Sequence, residues 1–320
     1  MRVLPSLLCV PFGVLCLAEI PPVPNAPRNT LRVERSENTP ASLAVLFSDD
    51  GYVLTKASEM GTSGQPRLIM PGGEKVQARE VRRDRNLDLV LLHIHPQDGL
   101  KAPTWNESKS LALGQWLQAP QGAGEQKMRA GVVSARRRTI PSSGSAIGIQ
   151  TDPAKLDHGV RIDFVIPDSP ADAAGLKADD VVLSVAGEII DKGQGIRDLI
   201  GRKTPGDEVE ILFRRSGKES KCLVRVASRN RIEAKLADDD YANGGISLRS
   251  DRFPEIIQHD IPLAPTDMGG PLLNLQGQAV GINIARVDRV TTFALPTEVF
   301  LPEVEKWIRE DKARAPSGKP

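Results

Sequence analysis

The side chains in this sequence with chemistry to offer do not form a complete catalytic set by type and spacing. Ser58 and Asp88 supply a hydroxyl and a carboxylate, but a carboxylate is a poor base for serine without a histidine between them. His259, in Ile257-Gln258-His259-Asp260, shortly precedes the stretch Thr266-Asp267-Met268-Gly269-Gly270-Pro271-Leu272 and is a candidate proton carrier for a cleft there. Standing alone, it reads better as a structural histidine. His93 and His95 alternate on one strand face, yet zinc needs a third protein ligand, so no metal site is assigned. Cys222 lies in an apolar-alternating strand and reads as packing. Asp238-Asp239-Asp240 and Arg136-Arg137-Arg138 read as solvated loops or strand ends rather than a cation site or a phosphate patch. No cofactor is implied.

The elements that must position these residues are mostly short strands. Ala44-Val45-Leu46-Phe47, the turn Asp49-Asp50-Gly51 and Tyr52-Val53-Leu54-Thr55 predict a hairpin. Residues 68–70, 76–79 and 87–94 continue that habit. Strands resume at 256–257, 272–273, 279–284 and 291–295, before a closing helix over about 297–310. Residues 142–228 differ in texture. Ser169 caps a short helix with Pro170 at its first position, and residues 181–185 and 188–190 flank Ala186-Gly187 as a hairpin. A helix over 195–203 carries Ile196, Leu199 and Ile200 on one face, and two strands around Ser216-Gly217 complete a compact α+β module.

At 320 residues the chain has room for two or three domains, and a net charge of +1 gives no electrostatic case for nucleic acid or an anionic membrane. Met1-Arg2, an apolar run over residues 3–17 and Cys16-Leu17-Ala18 predict a secretory signal, residues 1–18, cut after Ala18. The run is interrupted by Pro5, Pro11 and Gly13 and is too short to span a bilayer, and Leu15 before Cys16 argues against a lipoprotein anchor. Cys9 and Cys16 leave with the signal, so the mature chain keeps Cys222 and has no internal disulfide. A periplasmic or otherwise extracytoplasmic protein with no membrane span after signal removal fits. Residues 19–40 read as a Pro-rich linker and 312–320 as a disordered tail.

Three ordered anchors resemble the HtrA (Deg-type) family, trypsin-like serine proteases carrying PDZ domains. Asp50-Gly51-Tyr52-Val53-Leu54-Thr55-Lys56-Ala57-Ser58 matches the family's glycine-aromatic turn and strand, which lead there into alanine-histidine. Asn86-Leu87-Asp88-Leu89-Val90-Leu91-Leu92 matches the strand bearing the triad aspartate, and Thr266 to Leu272 matches the nucleophile loop. The resemblance implies a mostly β fold: a trypsin-like double β-barrel with an α+β PDZ domain inserted in the second barrel. On that reading 41–141 and 229–311 are the two parts of the trypsin-like domain, and 142–228 is the PDZ domain, which in the typical arrangement follows the protease instead. Carried onto this sequence, the triad positions are Ser58, Asp88 and Met268. A serine hydroxyl cannot serve as the base and a thioether cannot form an acyl ester, so two of three roles are empty.

The PDZ resemblance places a carboxylate-holding loop at Ala146-Ile147-Gly148-Ile149, facing a helix with Ile196, Leu199 and Ile200. It implies an exported pseudoprotease whose partners are peptides or protein C-termini, including unfolded exported proteins. The alternatives are an active serine endopeptidase with a displaced catalytic set, or a non-catalytic partner subunit of an active homologue. Family trimers form through aromatic residues near the N-terminus. None lies here between Ala18 and Phe47, so the oligomeric state stays open.

Overall fold

The computed structural model describes residues 29–36, 39–60, 65–122, 127–152, 156, 158–236 and 245–314. The predicted signal, the first part of the linker, Asp238-Asp239-Asp240 and residues 315–320 lie outside them. The first sheet contains β1 (Thr30–Ser36), β2 (Thr39–Ser48), β3 (Tyr52–Lys56), β4 (Arg67–Ile69), β5 (Lys75–Gln77), β6 (Arg79–Asp84) and β7 (Leu89–His93). Their order is β5-β4-β1-β2-β3-β7-β6, and the edges β5 and β6 are joined through Ala78 alone, which curls the sheet into a half-barrel. Alternation sorts the side chains: Leu46, Val53, Val90 and Leu92 fill its inside, while Val45, Leu54, Leu89 and Leu91 pack with the second barrel's Phe253, Ile282 and Leu295.

β1 corrects the linker reading. Leu31 and Val33 are buried on one face and pair with β2 and β4, and burying two such side chains stabilises the strand by roughly 1.5–3 kcal/mol each. The short α1 (Ala57–Met60) follows β3 directly.

β8 (Trp116–Gln121) and β9 (Lys127–Ile140) start the second barrel, and the α+β module follows. Its mouth is the two-stranded ladder β10 (Ser145–Ala146) with β17 (Ala227–Ser228). Within the module, β11 (Ile149–Thr151), β12 (Val160–Val165), β13 (Val181–Val185), β14 (Glu188–Ile189), β15 (Glu208–Arg215) and β16 (Lys218–Arg225) form a sheet that has β11 at one edge. α2 (Pro170–Ala173) has Ser169 as N-cap, its hydroxyl accepting the Asp172 N–H, and α3 (Gly193–Gly201) buries Ile196, Leu199 and Ile200. α4 (Arg229–Leu236) leads away from the module.

β18 (Phe253–His259), β19 (Pro271–Leu273), β20 (Ala279–Asp288) and β21 (Thr291–Pro296) then return to β8 and β9, closing a barrel in the order β18-β21-β20-β19-β8-β9. The last helix, α5 (Thr297–Arg314), runs further than expected, into residues read as tail. Its end is held because Asp311 accepts the Tyr52 hydroxyl (3.0 Å) and a two-pronged Arg79 contact (2.9 and 2.7 Å), while Lys312 reaches Asp50 (2.5 Å).

Candidate functional site

β3 delivers Lys56, α1 delivers Ser58, and the turn before β7 delivers Asp88, all three buried. The Asp88 carboxylate accepts from the Ser58 N–H (2.7 Å), the Ser58 hydroxyl (2.9 Å) and the Lys56 ammonium (2.7 Å). Lys56 also donates to the Arg249 carbonyl at 3.0 Å, and the Arg249 guanidinium lies 4.8 Å from the centre of the Phe253 ring. Asp88 therefore has partners that the sequence did not reveal. Lys56 was missed because a lysine at a strand end ordinarily reads as solvated, and burying one demands a counter-ion.

The module covers this cluster with the loop Thr204-Pro205-Gly206-Asp207. Gly206 has φ +97°, and a Cβ there would lie 2.8 Å from both Cα and Cβ of Ser58, so this close approach needs glycine. Asp207 pairs with Arg85 (3.4 Å), and Arg225 donates to the Glu59 carbonyl (3.3 Å). About 30 Å³ remains between loop and cluster, space for roughly one water.

Met268 is directed elsewhere. It is fully buried in the second barrel among Leu117, Val133, Ile261, Leu263 and Leu272. The amides around it are turned into their own backbone: Asp267 to Ala264 O (2.9 Å), Met268 to Pro265 O (3.3 Å), Gly269 to Asn283 O (2.7 Å) and Gly270 to Asp267 O (3.4 Å). Burial pushes the Asp267 carboxyl up, against the amides of Ala264 and Gly122 that it accepts. His259 lies in the same barrel with Nε2 2.9 Å from Asn283 Oδ1, while Nδ1 accepts the Ile261 N–H (3.3 Å). That pattern makes Nε2 the protonated nitrogen, and burial drops the ring's pKa to about 4. The structure thus joins Ser58 to Asp88 and gives the Met268 and His259 side chains other surroundings.

The module carries a cavity of about 370 Å³ between β11 and α3. Ala146, Ile147, Gly148, Ile149, Ile196 and Ile200 line it; Leu199, packed in the module's core, does not. Gly148 has φ +87°, and a Cβ there would fall 2.3 Å from Ser169 Cβ. The Ile147 and Gly148 carbonyls accept from Ala171 N (2.8 Å) and Ile166 N (2.9 Å). In planar trans peptides this turns the Gly148 and Ile149 amides the opposite way, as an anion-holding loop requires. α4 adds Arg229, Ile232 and Glu233 to the lining, a wall that sequence reasoning missed.

Two family models match: "Trypsin-like peptidase domain" over residues 43–160 and "PDZ domain" over residues 145–226. A "Probable periplasmic serine endoprotease DegP-like" from Halomonas elongata is 24% identical over 289 residues, covering 64% of this chain and 60% of the relative. The protein of the same description from Ectopseudomonas mendocina is 23% identical, covering 70% and 64%. The two domains and these relatives support an HtrA-type family.

A further relative, "Serine protease Do-like HtrA" from Bacillus subtilis, is 40% identical over 67 residues, covering 21% of this chain and 15% of itself. The solved serine endoprotease from Yersinia pestis is 18% identical with a TM-score of 0.31, covering 64% of this chain and 95% of its own. The chain spans about 60–65% of the length of the curated relatives it matches first. Among the described residues no three His, Cys, Asp or Glu side chains form a metal-holding group, and no helix is long and apolar enough to cross a membrane. His93 ends β7 and its Nε2 lies 3.2 Å from the Asp50 carbonyl, whereas His95 lies beyond the strand. Burial and the Asp180 carboxylate hold the Cys222 thiol above its usual range.

Proposed function

We propose that this HtrA-type chain is an exported pseudoprotease that binds peptides or protein C-termini in the module's groove. The observation that carries the reading is the filled state of the Ser58–Asp88 region. Asp88 takes a lysine and a serine rather than a histidine, and Gly206 lies against Ser58 where a substrate carbonyl would have to approach. A serine nucleophile also needs amides free to hold an oxyanion, and those of residues 267–270 already bond to backbone carbonyls. The edge strand β11 and the Gly148 loop suit an extended ligand that adds one strand and ends in a carboxylate. Export is supported by the basic-apolar N-terminus and by relatives described as periplasmic.

Labelling with a serine-directed fluorophosphonate beside casein turnover tests the catalytic half. The expected result is neither labelling nor turnover, and turnover abolished by Ser58→Ala or His259→Ala overturns it. A library of C-terminal peptides tests the other half, for which saturable binding is expected; a library with no binder counts against it.

A further inference from the structure

The PDZ match ends at residue 226, yet the groove's third wall starts at Arg229. α4 is fixed to the carboxylate-holding loop by the β10–β17 ladder, with Ser145 opposite Ser228 and Ala146 opposite Ala227. The Arg229 N–H donates to the Gly144 carbonyl at 2.9 Å, and its side-chain Nε lies 3.4 Å from where a Gly144 Cβ would sit. The guanidinium therefore stands at the loop's entrance. Ile232, one turn further, is buried against Ile166 and Ala227 and adds aliphatic surface to the lining.

Charge in the groove is lopsided. Arg197 and Arg229 face Glu233, the one anionic residue among those lining it. Arg197 is occupied, donating to Gln194 at 3.0 and 3.1 Å. The Arg229 guanidinium has no acceptor among the described residues. Two outward-turned amides hold an anion as neutral donors. A guanidinium beside them makes the contact charge-assisted and fits the two oxygens of a carboxylate.

We propose that Arg229, on a helix outside the PDZ match, is a specificity-determining residue of this groove. It pairs with the free terminal carboxylate of a bound chain whose last side chain is aliphatic, so the site takes chain ends in preference to internal segments. The inference rests on the groove being a peptide site, as proposed above.

Fluorescence anisotropy of the full chain tests it, using one labelled peptide ending in valine as the free acid and as the C-terminal amide. The acid is expected to bind about tenfold more tightly than the amide, the scale of one charge-assisted hydrogen bond. Arg229→Gln should lower that ratio several-fold by weakening the acid more than the amide, while Arg229→Lys keeps part of it. Ile232→Ala should weaken both peptides alike and preserve the ratio.

A folded Arg229→Gln variant with the wild-type ratio overturns the inference while peptide binding stands. Equal binding of acid and amide by wild type also overturns it, in favour of internal segments. No saturable binding of either peptide overturns the peptide-site reading and this inference with it. Should Arg229→Gln fail to fold, salt titration of the wild type decides: the ratio falls if the guanidinium holds the carboxylate and stays level if the amides alone do.

Discussion

The Ser58–Asp88 cluster and the module's groove use polar atoms in opposite ways. In the first, a buried carboxylate is met by an amide, a hydroxyl and an ammonium, and a neighbouring loop covers the ensemble. In the second, carbonyls are held inward, amides are turned outward, and a guanidinium stands without an acceptor among the described residues. A polar cluster satisfied from within adds rigidity but has nothing left for a ligand, whereas a site must leave donors for what it binds. On the reading proposed above, the trypsin-like half has turned its site residues to structural use and the module has not.

Removing Asp88 should break the comparison most sharply. Asp88→Ala leaves the Lys56 ammonium buried without a counter-ion, and a loss of about 3–5 kcal/mol is expected in guanidinium denaturation. A variant as stable as wild type would show that the cluster is not structural. His259 gives the next effect. Its folded pKa of about 4 lies below the ordinary 6.5, so between those values only the unfolded chain takes the proton. Stability should therefore fall as pH drops from about 6.5 to about 4, by roughly 3 kcal/mol from this group. His259→Asn should flatten that part of the pH profile of the denaturation midpoint.

Gly148→Ala sharpens the other side. Its Cβ collides with Ser169, so peptide affinity should drop about tenfold or more while resistance to guanidinium in the trypsin-like half is kept. The smallest expected effect is none: Ser58→His combined with Met268→Ser should not produce casein turnover, because Gly206 still lies against position 58 and the amides of residues 267–270 remain bonded. Turnover by that double variant would reopen the catalytic reading.

The strands of the fold were legible where apolar runs flanked a clear turn, as on either side of Asp49-Asp50-Gly51, and the module's turns where Ser169-Pro170 and Ser216-Gly217 marked them. β1 was hidden because Leu31 and Val33 alternate within a segment preceded by Pro21, Pro22, Pro24 and Pro27. The groove's strand and helix followed from Ile147, Ile149, Ile196 and Ile200. α4 did not, since Arg229 and Ile232 matter only through where the chain's return places them. Lys56 and Gly206 were illegible for the same reason. Each acts on Ser58 or Asp88 across a contact between segments distant in sequence, and local pattern holds no record of that.

The short ladder of Ser145–Ala146 with Ala227–Ser228 has a consequence for how the chain reaches this state. β9 and β18 are neighbours in the barrel although about a hundred residues separate them, and pairing two strands across an unfolded stretch of that length is entropically slow. Once the module has folded, its own ends stand side by side, and the loop to be closed shrinks to the flanking stretches 141–144 and 229–252. The module then acts as an internal clasp, and the second barrel is expected to form after it, with a lag that lengthens when the Ser145–Ser228 ladder is weakened.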